Sequence, residues 1–210
     1  MLTIEGDNSI LDIVNRRQKG MVIDMEYTEA KKKNKISTRK IVYVGMFAAL
    51  MATLSQCSIP MPSGVPATLQ IFAVTLIGVI VGWKMGAASI AIYILLGAVG
   101  VPVFANFHGG IQVLVGPTGG FIWGYLPMAA LCGTKLNQKN IVLGILSSLL
   151  GMMVCYVLGA LQFGVLKEMN FVASFMLVGA PYLLKDIILA VVAFVVGTQI
   201  RKGLSKAGLL

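Results

Sequence analysis

The chain has 210 residues, 57% of them apolar and only 12% charged, with a mean hydropathy of +0.86 and a formal net charge of +9. A soluble domain carries about a quarter charged residues, so the composition excludes one and indicates an integral membrane protein. The positive charge falls in an N-terminal tail and at the ends of apolar segments, where membrane topology explains it, so nucleic acid is not expected as a partner.

Residues 1–40 differ from the rest. Six of the eight acids, Glu5, Asp7, Asp12, Asp24, Glu26 and Glu29, lie there, and the stretch ends in the basic run Lys31, Lys32, Lys33, Lys35, Arg39 and Lys40. It has no apolar run suited to a signal peptide or a span, and reads as a charged, flexible cytoplasmic extension. One amphipathic turn over residues 10–14 is the competing reading, and disorder carries more weight in so short and charged a stretch.

From residue 41 the pattern is one of membrane spans, each tested against the roughly 20 residues that cross a hydrocarbon core of about 30 Å. Hydropathy places them at 41–59, 67–83, 85–105, 119–136, 141–166 and 182–200, with Lys84 between the second and third. The expected architecture is an all-α membrane domain of six transmembrane helices over residues 41–203, followed by a short cytoplasmic tail at 204–210. Lys and Arg accumulate on the cytoplasmic side. Threading six spans puts the tail, Lys84, Lys135, Lys139, Arg201, Lys202 and Lys206 on that side, leaving Lys167 beside Glu168 opposite. Both termini are then cytoplasmic, in a multi-pass protein of the cell membrane.

Asp186 is the acidic residue that stands out, because it lies inside an apolar stretch with Lys185 beside it. An ionisable group at membrane depth costs about 2.5–3.5 kcal/mol on insertion scales and marks a pathway, relay or ligand site by default. The predicted topology sets it about four residues, or about 6 Å, below the outer surface. The pocket it belongs to therefore opens outward. Lys185 has an equally weighted alternative, snorkelling to the interface. Adjacent helical residues point about 100° apart, so the two are not expected to neutralise each other.

The uncharged connections 60–66 and 106–118 and the connection 170–181 fall on the same outer side. The second of these holds the sole histidine, His108, between Asn106 and a run of glycines that could fold back as a re-entrant wall. For the glycines alone, turning the loop and packing helices is the stronger reading. Gln70, Gln112 and Thr118 flank the outer loops and rank below Asp186, Asn106, Lys185 and His108 as ligand-binding candidates.

The remaining motifs are mostly exclusions. Cys57, Cys132 and Cys155 form no Cys-x-x-Cys pair, and one histidine does not complete a usual metal set, so no metal is expected. There is no Gly-Lys dipeptide, hence no Walker A loop, and no Gly-x-Ser-x-Gly elbow or His-Glu-x-x-His helix. The chain reads as a non-enzyme without a cofactor. In the first span Gly45 with Ala49, and Ala48 with Ala52, make small-xxx-small pairs that let another helix approach. By spacing alone, packing inside the bundle is the stronger reading of them.

Four stretches are distinctive together: Ile59-Pro-Met-Pro-Ser-Gly-Val-Pro-Ala-Thr-Leu-Gln70, Tyr93-Ile-Leu-Leu-Gly-Ala-Val-Gly-Val-Pro-Val-Phe-Ala105, Leu114-Val-Gly-Pro-Thr-Gly-Gly-Phe-Ile-Trp-Gly124 and the segment around Asp186. Through them the chain, from about residue 40 to 200, resembles the BioY family, the biotin-binding S-components of energy-coupling factor transporters. The resemblance implies a six-helix bundle that captures biotin from outside. It would dock on a transmembrane coupling subunit carrying two ATPases, using Ala48-x-x-x-Ala52 on the first helix. It also implies that Asn106 and Asp186 contact the ligand. The family often carries Lys three residues after this Asp; that position is Leu189 here, and the neighbouring lysine, Lys185, precedes the Asp.

Biotin joins an apolar ring and alkyl chain to a ureido group and a carboxylate. Asp186 and Asn106 could accept from its N–H groups, Asn106 could donate to its oxygen, and Lys185 or His108 could balance the carboxylate. An S-component for a different vitamin, a small ion-coupled secondary transporter and a membrane enzyme remain as alternatives. The transporter predicts repeated halves with broken helices, which the sequence does not display, and the enzyme predicts a nucleophile beside a base.

Overall fold

The structure is a computed structural model that describes residues 14–22, 38–134 and 140–209. The basic run from Lys31 to Lys35, and Lys135, Leu136 and Lys139, lie outside the described residues. The chain divides into two units between Thr38 and Arg39. In the first, residues 14–22 are helical and exposed. Arg16, Arg17, Gln18 and Lys19 there are of types with good helix propensity.

The second unit is mostly helical. Helix α1 spans Thr38–Ser55, α2 Gln70–Ala98, α3 Ile111–Val115, α4 Gly119–Cys132, α5 Ile141–Leu166, α6 Phe171–Val178 and α7 Ala180–Lys206. Strands β1 (Ser58–Ile59) and β2 (Ala67–Thr68) pair antiparallel, with Ser58 opposite Thr68 and Ile59 opposite Ala67. Among the described residues, α5, α7 and α2 taken at its full length are long and apolar enough to cross a membrane, by length and composition alone.

Helix α2 is not straight. Gly82 sits at φ 81°, ψ 170°, a backbone conformation open to glycine and strained for other residues. Gly78 and Gly86 would be about 12 Å apart in a straight helix, yet a Cβ built on Gly86 would lie 3.2 Å from the Gly78 Cα. Residues 70–81 and 83–98 are therefore two antiparallel legs of about 18 and 24 Å. The expected break between the second and third segments exists, but glycine makes it, two residues before Lys84. Lys84 instead lays its ammonium over the Trp83 ring, 5.2 Å from the centroid.

The other boundaries shift for local reasons. Asn140 caps α5 by accepting from the Val142 N–H at 3.0 Å, and Asn170 caps α6 by accepting from the Ala173 N–H at 2.8 Å. The expected connection 170–181 thus contains a helix, which ends at Gly179 before Pro181 enters the first turn of α7. Helix α7 continues to Lys206, through part of the expected tail, whereas α4 is short, ending at Cys132.

The core lies where α4 packs along α5 and α2, and α2 along α7. Glycine allows α4 to approach α5 closely: a Cβ on Gly120 would stand 2.3 Å from the Leu158 carbonyl oxygen and 2.9 Å from the Gly159 Cα. Helix α1 contributes Phe47 and Met51 to the core, and Ala48, 2% exposed, faces inward with them. Ala52 is half-buried, and Gly45 and Ala49 lie on the exposed side. Spacing of four puts each pair on one face but does not say which face turns outward.

Candidate ligand-binding site

A cavity of about 290 Å³ lies among the 64–71 segment, the 104–122 segment, Tyr125 of α4, Tyr156 of α5, the end of α6 and the start of α7. All seven candidates, Gln70, Asn106, His108, Gln112, Thr118, Lys185 and Asp186, line it. Its volume falls at the small end of the roughly 300–1,000 Å³ of small-molecule sites.

Asp186 is 4% exposed. Its Oδ1 accepts from Lys185 Nζ at 2.6 Å, and its Oδ2 accepts from the Tyr156 hydroxyl on α5. Lys185 also donates to the Thr68 carbonyl of β2 at 2.8 Å. The two neighbours do form an ion pair, contrary to expectation. The 100° rule describes where Cβ atoms point, and the four-carbon stem of lysine reaches back across that angle. Each carboxylate oxygen keeps a further lone pair for a ligand donor.

Gln70, at the start of α2, is the second buried polar centre. Its Nε2 donates to the Tyr93 hydroxyl at 3.0 Å, while its Oε1 accepts from the Tyr125 hydroxyl at 2.9 Å and from Thr68 Oγ1 at 2.9 Å. The amide joins α2's two legs and α4 at the cavity wall. Among the described residues no buried side-chain nitrogen or oxygen lacks a partner, which in a low-dielectric interior fixes the network in one arrangement.

The rim is built on the other side. Ser58 Oγ donates to Asn106 Oδ1 at 2.7 Å, leaving the amide N–H groups of Asn106 to the cavity. Asn106 and Phe107 both occupy left-handed backbone, at φ 57° and 56°, a conformation that persists where surroundings enforce it. Gln56 does so: its Oε1 accepts from the Phe107 N–H at 2.9 Å and its Nε2 donates to the Phe104 carbonyl at 3.1 Å. His108 is exposed, with Nδ1 3.0 Å from the Ala105 carbonyl. Gln112 is also exposed and turns its Nε2 to the Gly109 carbonyl at 2.8 Å. Gln162 of α5 pins the segment around α3 by donating to the carbonyls of Leu114 at 2.9 Å and Gly116 at 2.8 Å.

Sequence reasoning missed the aromatic walls. Phe104, Phe121, Tyr125, Tyr156 and Tyr182 line the cavity, with Phe121 edge-on to Tyr156 at 5.9 Å between centroids. Tyr182 holds the 60–66 loop, donating to the Val65 carbonyl at 2.7 Å and meeting Ser63 Oγ at 2.9 Å. A tyrosine inside an apolar span needs a partner for its hydroxyl, and that was the available signal. Among the described residues no three His, Cys, Asp or Glu side chains converge as metal ligands would. The arrangement suits a small, mainly apolar ligand with one end that donates to Asp186.

Comparisons with known proteins agree on one group. A curated relative, the biotin transporter BioY of Thermotoga maritima, is 38% identical over 166 residues, covering 78% of this chain and 96% of the relative. The probable biotin transporter BioY of Pyrococcus horikoshii is 35% identical over 166 residues, covering 79% and 98%. Among solved structures, the fold matches the crystal structure of an S-component for biotin from an ECF-type ABC transporter. The TM-score is 0.72 at 22% identity, over 80% of this chain and 95% of that one. The sequence model of the BioY family matches residues 29–206, and the chain belongs to that family.

Proposed function

We propose that the chain is a membrane subunit that captures biotin from outside for uptake by an ATP-driven energy-coupling factor transporter. The observation that carries the reading is the convergence of all seven candidate residues on one cavity around a buried carboxylate, in a chain whose relatives are biotin transporters. Aromatic walls suit the apolar ring and alkyl chain of biotin. Asp186 accepts from a ureido N–H, and Asn106 donates to the ureido oxygen. Lys185 already serves Asp186 and the Thr68 carbonyl, so the ligand's carboxylate belongs towards the rim, where His108 lies.

The topology that fits is six crossings of the cell membrane: α1, the two legs of α2, α4, α5 and α7. Both termini are then cytoplasmic, and the cavity opens outward. Basic residues at the Gly82 turn and at the end of α7 support this orientation. ATP is hydrolysed by two ATPase subunits on a transmembrane coupling subunit, not by this chain. Of the four small residues on α1, Gly45 and Ala49 are exposed to such a partner, whereas within the Ala48-x-x-x-Ala52 motif Ala52 is half-buried and Ala48 supports α1 from inside.

Ligand extraction from the purified protein, followed by mass spectrometry, tests the substrate. Biotin in the extract is the expected result. A different vitamin would replace the substrate and leave the S-component reading intact, and an ion-dependent uptake without the coupling subunit would overturn both.

A further inference from the structure

We propose that the end of α7 remote from the biotin cavity forms a second site, one for a phosphate-type anion, with an acidic phospholipid headgroup as its source. A hollow of about 550 Å³ lies there between α7, the Gly82 turn of α2 and the end of α4. It is separated from Asp186 by fifteen residues of α7, or about 22 Å along the helix axis, so the two cavities sit near opposite ends of the bundle.

Helix α7 is apolar for most of its length and then presents Arg201, Lys202, Ser205 and Lys206, all lining this hollow. Positions i, i+1, i+4 and i+5 fall on one side of a helix. Three cations at a helix C-terminus ordinarily complement the dipole and project into water. Two observations set these apart. First, they line a hollow that Val79 of α2 and Gly133 beyond α4 also line, with Arg201 half-buried in it and both lysines exposed at its edge. Second, Arg201 is fixed in place: its Nη1 donates to the carbonyls of Val79 and Ile80, each at 2.9 Å, where the first leg of α2 ends. Both bonds use one nitrogen, so the planar fork still offers its other N–H donors in a fixed direction, the geometry that binds phosphate oxygens in pairs.

The anion is identified by charge and position. Among the described residues no acidic side chain lines the hollow, and the cations there present a net positive charge. Basic pockets between helices at the inner face of a membrane recognise anionic headgroups, and this end is the inner one on the topology proposed above. The site does not depend on biotin being the transported ligand.

The test uses the full chain in a neutral detergent, titrated separately with phosphatidylglycerol, phosphatidylcholine and inorganic phosphate. Native mass spectrometry reads the lipids and thermal shift reads the phosphate. Lys202→Gln combined with Lys206→Gln is the variant, since it leaves the Arg201 cap on α2 intact. Phosphatidylglycerol is expected to bind in preference to phosphatidylcholine. The variant should lose about fivefold in affinity per lysine, or roughly 30-fold in all, with biotin binding unchanged as the control for folding. A phosphate shift that the variant abolishes would support the site with a soluble anion as its source. Equal binding of both lipids with no phosphate shift would overturn the proposal, as would phosphatidylglycerol affinity unchanged in the variant.

Discussion

Removing the ammonium of Lys185 exposes what the Lys185–Asp186 pair contributes. At 2.6 Å and an effective dielectric of about 20, the gross attraction is about 6 kcal/mol. Burying the carboxylate offsets most of it, and the lysine side chain, 37% exposed, is partly screened by water. The net coupling falls between that of an exposed pair, about 0–1 kcal/mol, and the 3–5 kcal/mol cost of breaking a buried one. We expect about 1–3 kcal/mol. Lys185→Met leaves Asp186 with the Tyr156 hydroxyl as its side-chain donor among the described residues. At about 2–4 °C per kcal/mol for a chain of this size, it should lower the melting temperature by about 2–12 °C. The assay is thermal unfolding, in one detergent without ligand, of Lys185→Met, Asp186→Asn and the double variant. Coupled residues make the double variant's loss smaller than the sum of the single losses by at least about 2 °C. Losses that add within about 1 °C would show that the pair contributes nothing as a pair.

Three further outcomes follow from the packing and the buried network. Gln70→Leu strands the Tyr125 hydroxyl and removes the amide donor to Tyr93, so stability should fall by about 1–3 kcal/mol, together with biotin affinity, both read on the same purified sample. Gly120→Ala drives a Cβ into the Leu158 carbonyl and should cost about 1–3 kcal/mol, whereas Gly45→Ala, with nothing within 4 Å of the new Cβ, should stay within about 0.5 kcal/mol in the same melt. Ala49→Trp should leave biotin binding intact and reduce uptake by the assembled transporter more than tenfold, while Ala48→Trp should fail to accumulate as folded protein because its site is inside the core.

Hydropathy located most of the helices because lipid exposure and core burial both select apolar residues. The same uniformity hid the inward faces: on α1 nothing in composition distinguishes buried Ala48 from exposed Ala49. Asp186 was legible as a lone acid among apolar neighbours, and Asn106 and His108 as polar groups in a glycine-rich connection. Gln70, ranked second in the sequence, proves to be a hub because its partners Tyr93 and Tyr125 lie 23 and 55 residues away, a convergence that no local pattern encodes. The ion pair was missed for a different reason: helical geometry fixes where a side chain starts, not where four methylenes end. The turn of α2 was misplaced because Lys84 marks an interface, whereas the backbone reverses where a residue can adopt φ 81°.

The carboxylate of Asp186 as the group that holds the ligand is the central claim, and equilibrium binding of biotin to the purified wild type and Asp186→Ala tests it most directly. A charge-assisted hydrogen bond contributes about 1.5–3 kcal/mol, so the variant should bind about 10- to 150-fold more weakly while still purifying as a folded monodisperse protein. Equal affinity in the two proteins would contradict the account.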